Sequence, residues 1–108
     1  MAEVIGVVDV VAAQGRAEEV VAAFEACIAQ THEEPGCLTY ALHRDNDNPH
    51  HVVLVERWRS QEDLDAHLQK PYVADLFAVA ATPGMLAEAP RLTFASGLAL
   101  GDPAKGSL

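Results

Sequence analysis

Residues 37–58 read CLTYALHRDNDNPHHVVLVERW, and the way this stretch folds decides the architecture. Two apolar runs, 37–44 and 51–58, flank the polar segment DNDNPH. Their β-branched and aromatic residues suit a pleated, half-buried strand. Asp, Asn and Pro bring turn chemistry, and a loop of this length closes an antiparallel hairpin. Alternation then assigns faces. Leu54, Glu56 and Trp58 share one side of the second strand, and Val53, Val55 and Arg57 the other. On the first strand Leu38, Tyr40 and Leu42 oppose Cys37, Thr39 and Ala41.

Upstream of the hairpin, residues 4–11 form a further β-branched run that ends at the turn signal Gln14-Gly15. The period then changes. In RAEEVVAAFEACIAQTHEE (16–34), Val20, Phe24, Cys27, Ile28 and Thr31 fall on one helical face. Glu18 and Glu19 lie in the first turn, where the helix dipole favours acids. Pro35-Gly36 ends the helix, because a residue before proline avoids the helical region. Downstream, Ser60 with Asp63 three residues later makes a capping-box pattern that opens a helix through Leu64, His67 and Leu68. Pro71 interrupts it, and Val73, Leu76, Phe77 and Ala80 resume helical spacing up to Pro83-Gly84. A last strand is expected over 91–100, and GDPAKGSL reads as a frayed tail, giving one domain over 1–100 and a flexible tail over 101–108.

The order β-α-β-β-α-β is the ferredoxin-like α+β arrangement, an antiparallel sheet with its helices on one face. The other face is lined by alternate residues of apolar strands and needs a cover. A second copy of the same sheet is the simplest one, so a two-fold homodimer is expected. Size points the same way: a chain of 108 residues buries only about 65% of its unfolded surface.

Charge and cysteine content exclude several function classes. The formal charge is −9, and the seven Lys and Arg are scattered at positions 16, 44, 57, 59, 70, 91 and 105. No basic stripe is available for nucleic acid, and an anionic membrane or polyphosphorylated substrate would be repelled, whereas small neutral aromatics remain open. Cys27 and Cys37 have neither metal-site nor redox-motif spacing and read as reduced thiols. The N-terminus opens directly into a strand with acids at Glu3 and Asp9, so neither a signal peptide nor a membrane span is expected, and a cytoplasmic location follows.

Three of the five histidines, His43, His50 and His51, sit in or beside the hairpin turn. His50 and His51 are adjacent and point to opposite faces of an extended segment, so they do not grip one ion, and no metal site is expected. Trp58, the only tryptophan, reads first as a buried anchor. His67 differs from the hairpin histidines. It lies at the edge of a helix's buried face, where an imidazole can accept a proton from the space between helix and sheet. Tyr72 and Phe77 are placed to wall that space.

The segments EEPGCLTYALHRDNDNPHHVVLVERWRSQEDLDAHLQKPYV (33–73) and TPGMLAEAPRL (82–92) closely resemble the antibiotic biosynthesis monooxygenase family, and within it the quinol-monooxygenase-like members. The resemblance runs from about residue 3 to residue 100. It implies a dimeric α+β barrel and oxidation of hydroxylated aromatic rings by O2 without haem, flavin or metal. Trp58 falls where the polyketide-oxidising members carry an active-site tryptophan. Their asparagine is replaced by Leu54 and their tyrosine by Leu64, and their arginine has no match. The haem-degrading members carry a tryptophan near His67 and a haem-binding histidine near Phe77, and this chain has neither. His67 matches a histidine of the quinol-type members.

Such chemistry needs an electron-rich substrate that loses a proton as the electron leaves. A phenol with a pKa near 10 therefore calls for a base that titrates near neutrality. His67 is the expected base. The pocket wall is expected from Leu54, Glu56, Trp58, Tyr72 and Phe77, with the indole N–H of Trp58 available to a peroxide oxygen. Two rival readings stand beside this one: a non-catalytic small-molecule-binding dimer, and an isomerase acting on a small phosphorylated sugar.

Overall fold

The computed structural model describes residues 2–108. The order is β1 (Val4–Val11), α1 (Ala17–Thr31), β2 (Cys37–Arg44), β3 (His51–Trp58), α2 (Gln61–His67), α3 (Pro71–Ala80) and β4 (Arg91–Ala95). The strands form one antiparallel sheet in the order β2-β3-β1-β4, the ferredoxin-like topology expected from the sequence. None of the described helices is long and apolar enough to cross a membrane.

Strict alternation in β1 and β3 sends Val4, Val8 and Val10, and Val52, Leu54, Glu56 and Trp58, into the layer beneath the helices. From α1, Val20, Phe24, Cys27 and Thr31 meet them. Leu64 of α2, Val73 of α3 and Met85 of the following turn complete the core. The Ser60 hydroxyl caps α2 by accepting from the Asp63 amide at 3.2 Å, and it donates to the Asp63 carboxylate at 2.9 Å. Pro71 starts α3 as its first residue, where its missing N–H costs nothing.

Two expectations are corrected. The first strand of the hairpin does not alternate throughout, because its register shifts between Cys37 and Thr39. Leu38 is the extra residue of this bulge and is 44% exposed instead of facing the helices with Tyr40. The last strand ends at Ala95 rather than at Leu100. Ala95 pairs with Ile5, one residue from the start of β1, so the ladder runs out of partners there.

The sheet face away from the helices presents Ile5, Val7, Val11, Val53 and Val55, all half-buried. Polar pairs frame them. Arg57 donates to Glu3 at 2.8 Å, and His51 lies between Asp9 and Asp45, each at 2.8 Å.

Candidate functional site

A pocket opens between the helix-facing side of the sheet and the helices, lined by Val8, Leu54, Tyr40, Phe24 and Val73, with Leu92 and Phe94 of β4 and Phe77 of α3 at its rim. Its cavity volume is about 60 Å³, and it is open to solvent on one side. Glu56 supplies the only carboxyl group and His67 the only imidazole among its lining residues, and no Lys or Arg is present.

Glu56 is placed by β3 alternation and by its neighbour across the ladder. It pairs with Gly6 of β1, and a Cβ at Gly6 would come within 2.8 Å of the Glu56 side chain and 3.0 Å of Phe94. The absence of a side chain at Gly6 is therefore what lets the Glu56 side chain lie over β1. Glu56 Oε1 accepts the indole N–H of Trp58 at 2.8 Å. Oε2 has no hydrogen-bond partner among the described residues, and Glu56 lines the pocket. Only 4% of Glu56 is exposed, and burial raises its pKa above the usual carboxylate value. The Trp58 N–H and the nearby His67 oppose that rise.

His67 ends α2 with 2% exposure. Its ring is held by aromatic neighbours, Trp58 at 4.5 Å between centroids and Tyr40 at 5.2 Å edge-on. Nδ1 lies 2.8 Å from Glu34 Oε2, and the Tyr72 hydroxyl donates to the same oxygen at 2.6 Å. A carboxylate only accepts, so Nδ1 carries a proton, and in the neutral ring Nε2 is then the bare nitrogen. Nε2 makes no hydrogen bond among the described residues, and His67 is one of the pocket's lining residues.

Of the residues expected at the site, Leu54, Glu56, His67 and Phe77 line one pocket. Two expectations change. Trp58 is 0% exposed and lies behind His67, and its N–H is given to Glu56 rather than left free for a peroxide oxygen. Tyr72 does not wall this pocket. It borders a separate depression with Cys27 and Leu76, and its hydroxyl is turned to Glu34.

Sequence reasoning missed Glu34 and gave Tyr40 no part in the site. Glu34 precedes Pro35 in a turn and carries no periodic signal, because a loop acid beside a helix end is ordinarily solvated. Only the return of α2 and α3 over that turn reveals its role. Tyr40 donates or accepts at Cys27 Sγ, 3.7 Å away, and burial pushes its pKa upward. Burial, with Glu34 and Glu56 nearby, pushes the Cys37 thiol up to about 11, so it is not a nucleophile at neutral pH.

The hairpin histidines lie away from this pocket. His43 Nδ1 is 3.3 Å from the Val53 carbonyl. The two ring nitrogens of His51 face Asp45 and Asp9, and hydrogen bonds to both carboxylates raise its pKa. Among the described residues no group of three His, Cys, Asp or Glu is arranged to hold a metal ion.

Comparison with known proteins places the fold. A family model described as antibiotic biosynthesis monooxygenase matches residues 3–79. A solved structure from Caulobacter crescentus, provisionally described as an antibiotic biosynthesis monooxygenase, is 26% identical. It superposes with a TM-score of 0.78 over 87% of this chain and 88% of that one. A structure from Nitrosomonas europaea with the same provisional description is 21% identical, with a TM-score of 0.83 over 90% and 91% of the two chains, a likeness of fold. An uncharacterized protein of Synechocystis is 32% identical over 71 residues, which is 66% of this chain and 47% of that protein. The chain thus spans about half the length of that curated relative.

Proposed function

The chain belongs to the antibiotic biosynthesis monooxygenase family, and on that footing we propose that it oxidises a small hydroxylated aromatic, a quinol or a polyketide-like phenol, directly with O2. The observation that carries the reading is an apolar pocket lined by His67 and Glu56, whose Nε2 and Oε2 atoms make no hydrogen bond among the described residues. Leu54, Phe24, Val73 and Phe77 offer apolar contacts to a flat ring reaching in from the mouth, with its hydroxyl directed toward His67 and Glu56. His67 takes the hydroxyl proton, which raises the ring's reducing power, and electrons pass from the ring to O2. With a quinol, two electrons and two protons leave the ring and O2 becomes H2O2. Glu56 holds the hydroxyl through Oε2, while Trp58 acts at one remove by fixing Glu56 and backing His67. The dry wall protects the reacting oxygen from water.

The half-buried valines of the open sheet face support a homodimer as the working form. Two free thiols accord with a cytoplasmic location. The isomerase reading loses ground because no cation lines the pocket to hold a phosphate.

Oxygen uptake with a panel of quinols and phenols tests the proposal. The expected result is saturable uptake that His67→Ala slows by about 10²-fold or more, the range for loss of a general base. Ring-bound ¹⁸O from ¹⁸O2 distinguishes oxygen insertion from simple quinone formation. Turnover without oxygen would identify an isomerase, and tight binding with neither outcome would identify a binding protein.

A further inference from the structure

We propose that Glu34 is the positioning residue of the pocket base: its carboxylate holds the His67 imidazole in the tautomer that turns a bare Nε2 to the substrate, and the Tyr72 hydroxyl holds Glu34 in place. Its kinetic consequence rests on the oxygenase reading above, whereas the tautomer itself does not.

Three observations carry the proposal. Glu34 comes from the turn between α1 and β2, 33 residues from His67 in sequence, yet meets its Nδ1 at 2.8 Å. Glu34 is also unusually enclosed for a turn acid, with 10% of its side chain exposed. A buried carboxylate needs donors, and this one receives two on a single oxygen, from His67 and Tyr72. Third, the ring has no freedom to turn over, because Trp58 and Tyr40 pack against it. A flipped ring would set a C–H against Glu34 and leave the buried carboxylate without its nitrogen donor.

The surroundings of His67 supply no competing partner for Nδ1. Glu56 on β3 accepts the Trp58 N–H at Oε1, and Tyr40 on β2 is turned to Cys27 of α1. Tyr72 of α3 is the other donor to Glu34, and Cys37 of β2 makes no hydrogen bond with its side chain among the described residues. The hydrogen bond at one ring nitrogen sets which nitrogen is basic. Glu34 thus makes His67 a ready proton acceptor facing the pocket.

The test combines ¹⁵N spectra of the imidazole with kinetics on the full-length protein. In the parent, the deprotonated ring is expected to show a protonated Nδ1 and a bare Nε2. Glu34→Gln is expected to mix the tautomers and lower kcat by about 10–100-fold, with KM within about threefold, as befits a residue acting through the base. Glu34→Asp, which keeps the charge, should recover part of the rate. Tyr72→Phe should leave the tautomer in place and cost less than about tenfold.

A parent spectrum with bare Nδ1 would overturn the proposal without any variant, so a failure of Glu34→Gln to fold does not shelter it. Unchanged tautomer and unchanged kcat in a folded Glu34→Gln protein would also overturn it. If the parent oxidises no quinol while the tautomer is as stated, the oxygenase reading fails and the assignment of Glu34 stands.

Discussion

Trp58→Phe isolates the link between the core and the site. Phenylalanine keeps an aromatic face against His67 but removes the indole N–H, the only donor to Glu56 Oε1 among the described residues. Trp58 is wholly buried, so the missing ring atoms leave a cavity that costs about 1–2 kcal/mol. Leaving Glu56 without its donor adds about 1–3 kcal/mol. A total of about 2–5 kcal/mol lowers Tm by roughly 8–20 °C, at about 4 °C per kcal/mol for a chain of this length. The loss should depend on pH, with a definite sign. Burial raises the Glu56 pKa, and the Trp58 hydrogen bond opposes the rise by stabilising the charged form. Without that bond the folded-state pKa climbs further. Above the ordinary glutamate value of about 4.5 the unfolded chain releases this proton more readily than the folded one, so stability falls as pH rises through that window. The Trp58→Phe penalty should therefore be larger at pH 8 than at pH 4. Denaturant unfolding of Trp58→Phe, Glu56→Gln and the double variant at both pH values measures the coupling. A coupling below about 0.5 kcal/mol with equal penalties at the two pH values would refute the assignment of the indole N–H to Glu56.

Gly6→Ala should be more damaging than its small size suggests, costing about 1–3 kcal/mol and lowering turnover, because the new Cβ presses on Glu56 and Phe94; a thermal melt and a turnover assay on one preparation check this. Dimerisation should bury about 2,000 Å² or more, and Val55→Asp on the open face should yield monomers in sedimentation at micromolar concentration. A parent protein that sediments as a stable folded monomer would contradict the covered-face argument. Chelator treatment should leave fold and turnover unchanged, since both nitrogens of His51 already face carboxylates. Stoichiometric zinc or iron in untagged protein would count against that.

The fold was legible because its signals are local. The DNDNPH turn, the Pro35-Gly36 stop, the Ser60–Asp63 cap and the Pro71 break each act within a few residues, and all agree with the hydrophobic period on either side. The misplacement of Leu38 has a different origin. A bulge depends on how two strands meet, and nothing in C-L-T-Y announces the register shift. The same distinction governs the site. His67, Glu56 and Leu54 were readable because helix and strand periods assign their faces. Glu34 was not, since its partner lies 33 residues away and the contact exists only once α2 and α3 fold back over the turn. The Trp58 indole was read as a free donor for the same reason. Strand spacing shows that Glu56 and Trp58 share a face, but not that one side chain satisfies the other.

The most direct test follows oxygen consumption and quinone formation together, for the parent protein and for His67→Ala. If His67 is the proton acceptor, the parent consumes one O2 for each quinol oxidised to quinone and peroxide. In His67→Ala the rate falls by about 10²-fold or more in a protein that still folds. An equal rate per folded molecule in parent and variant, on a quinol the parent oxidises, would contradict it.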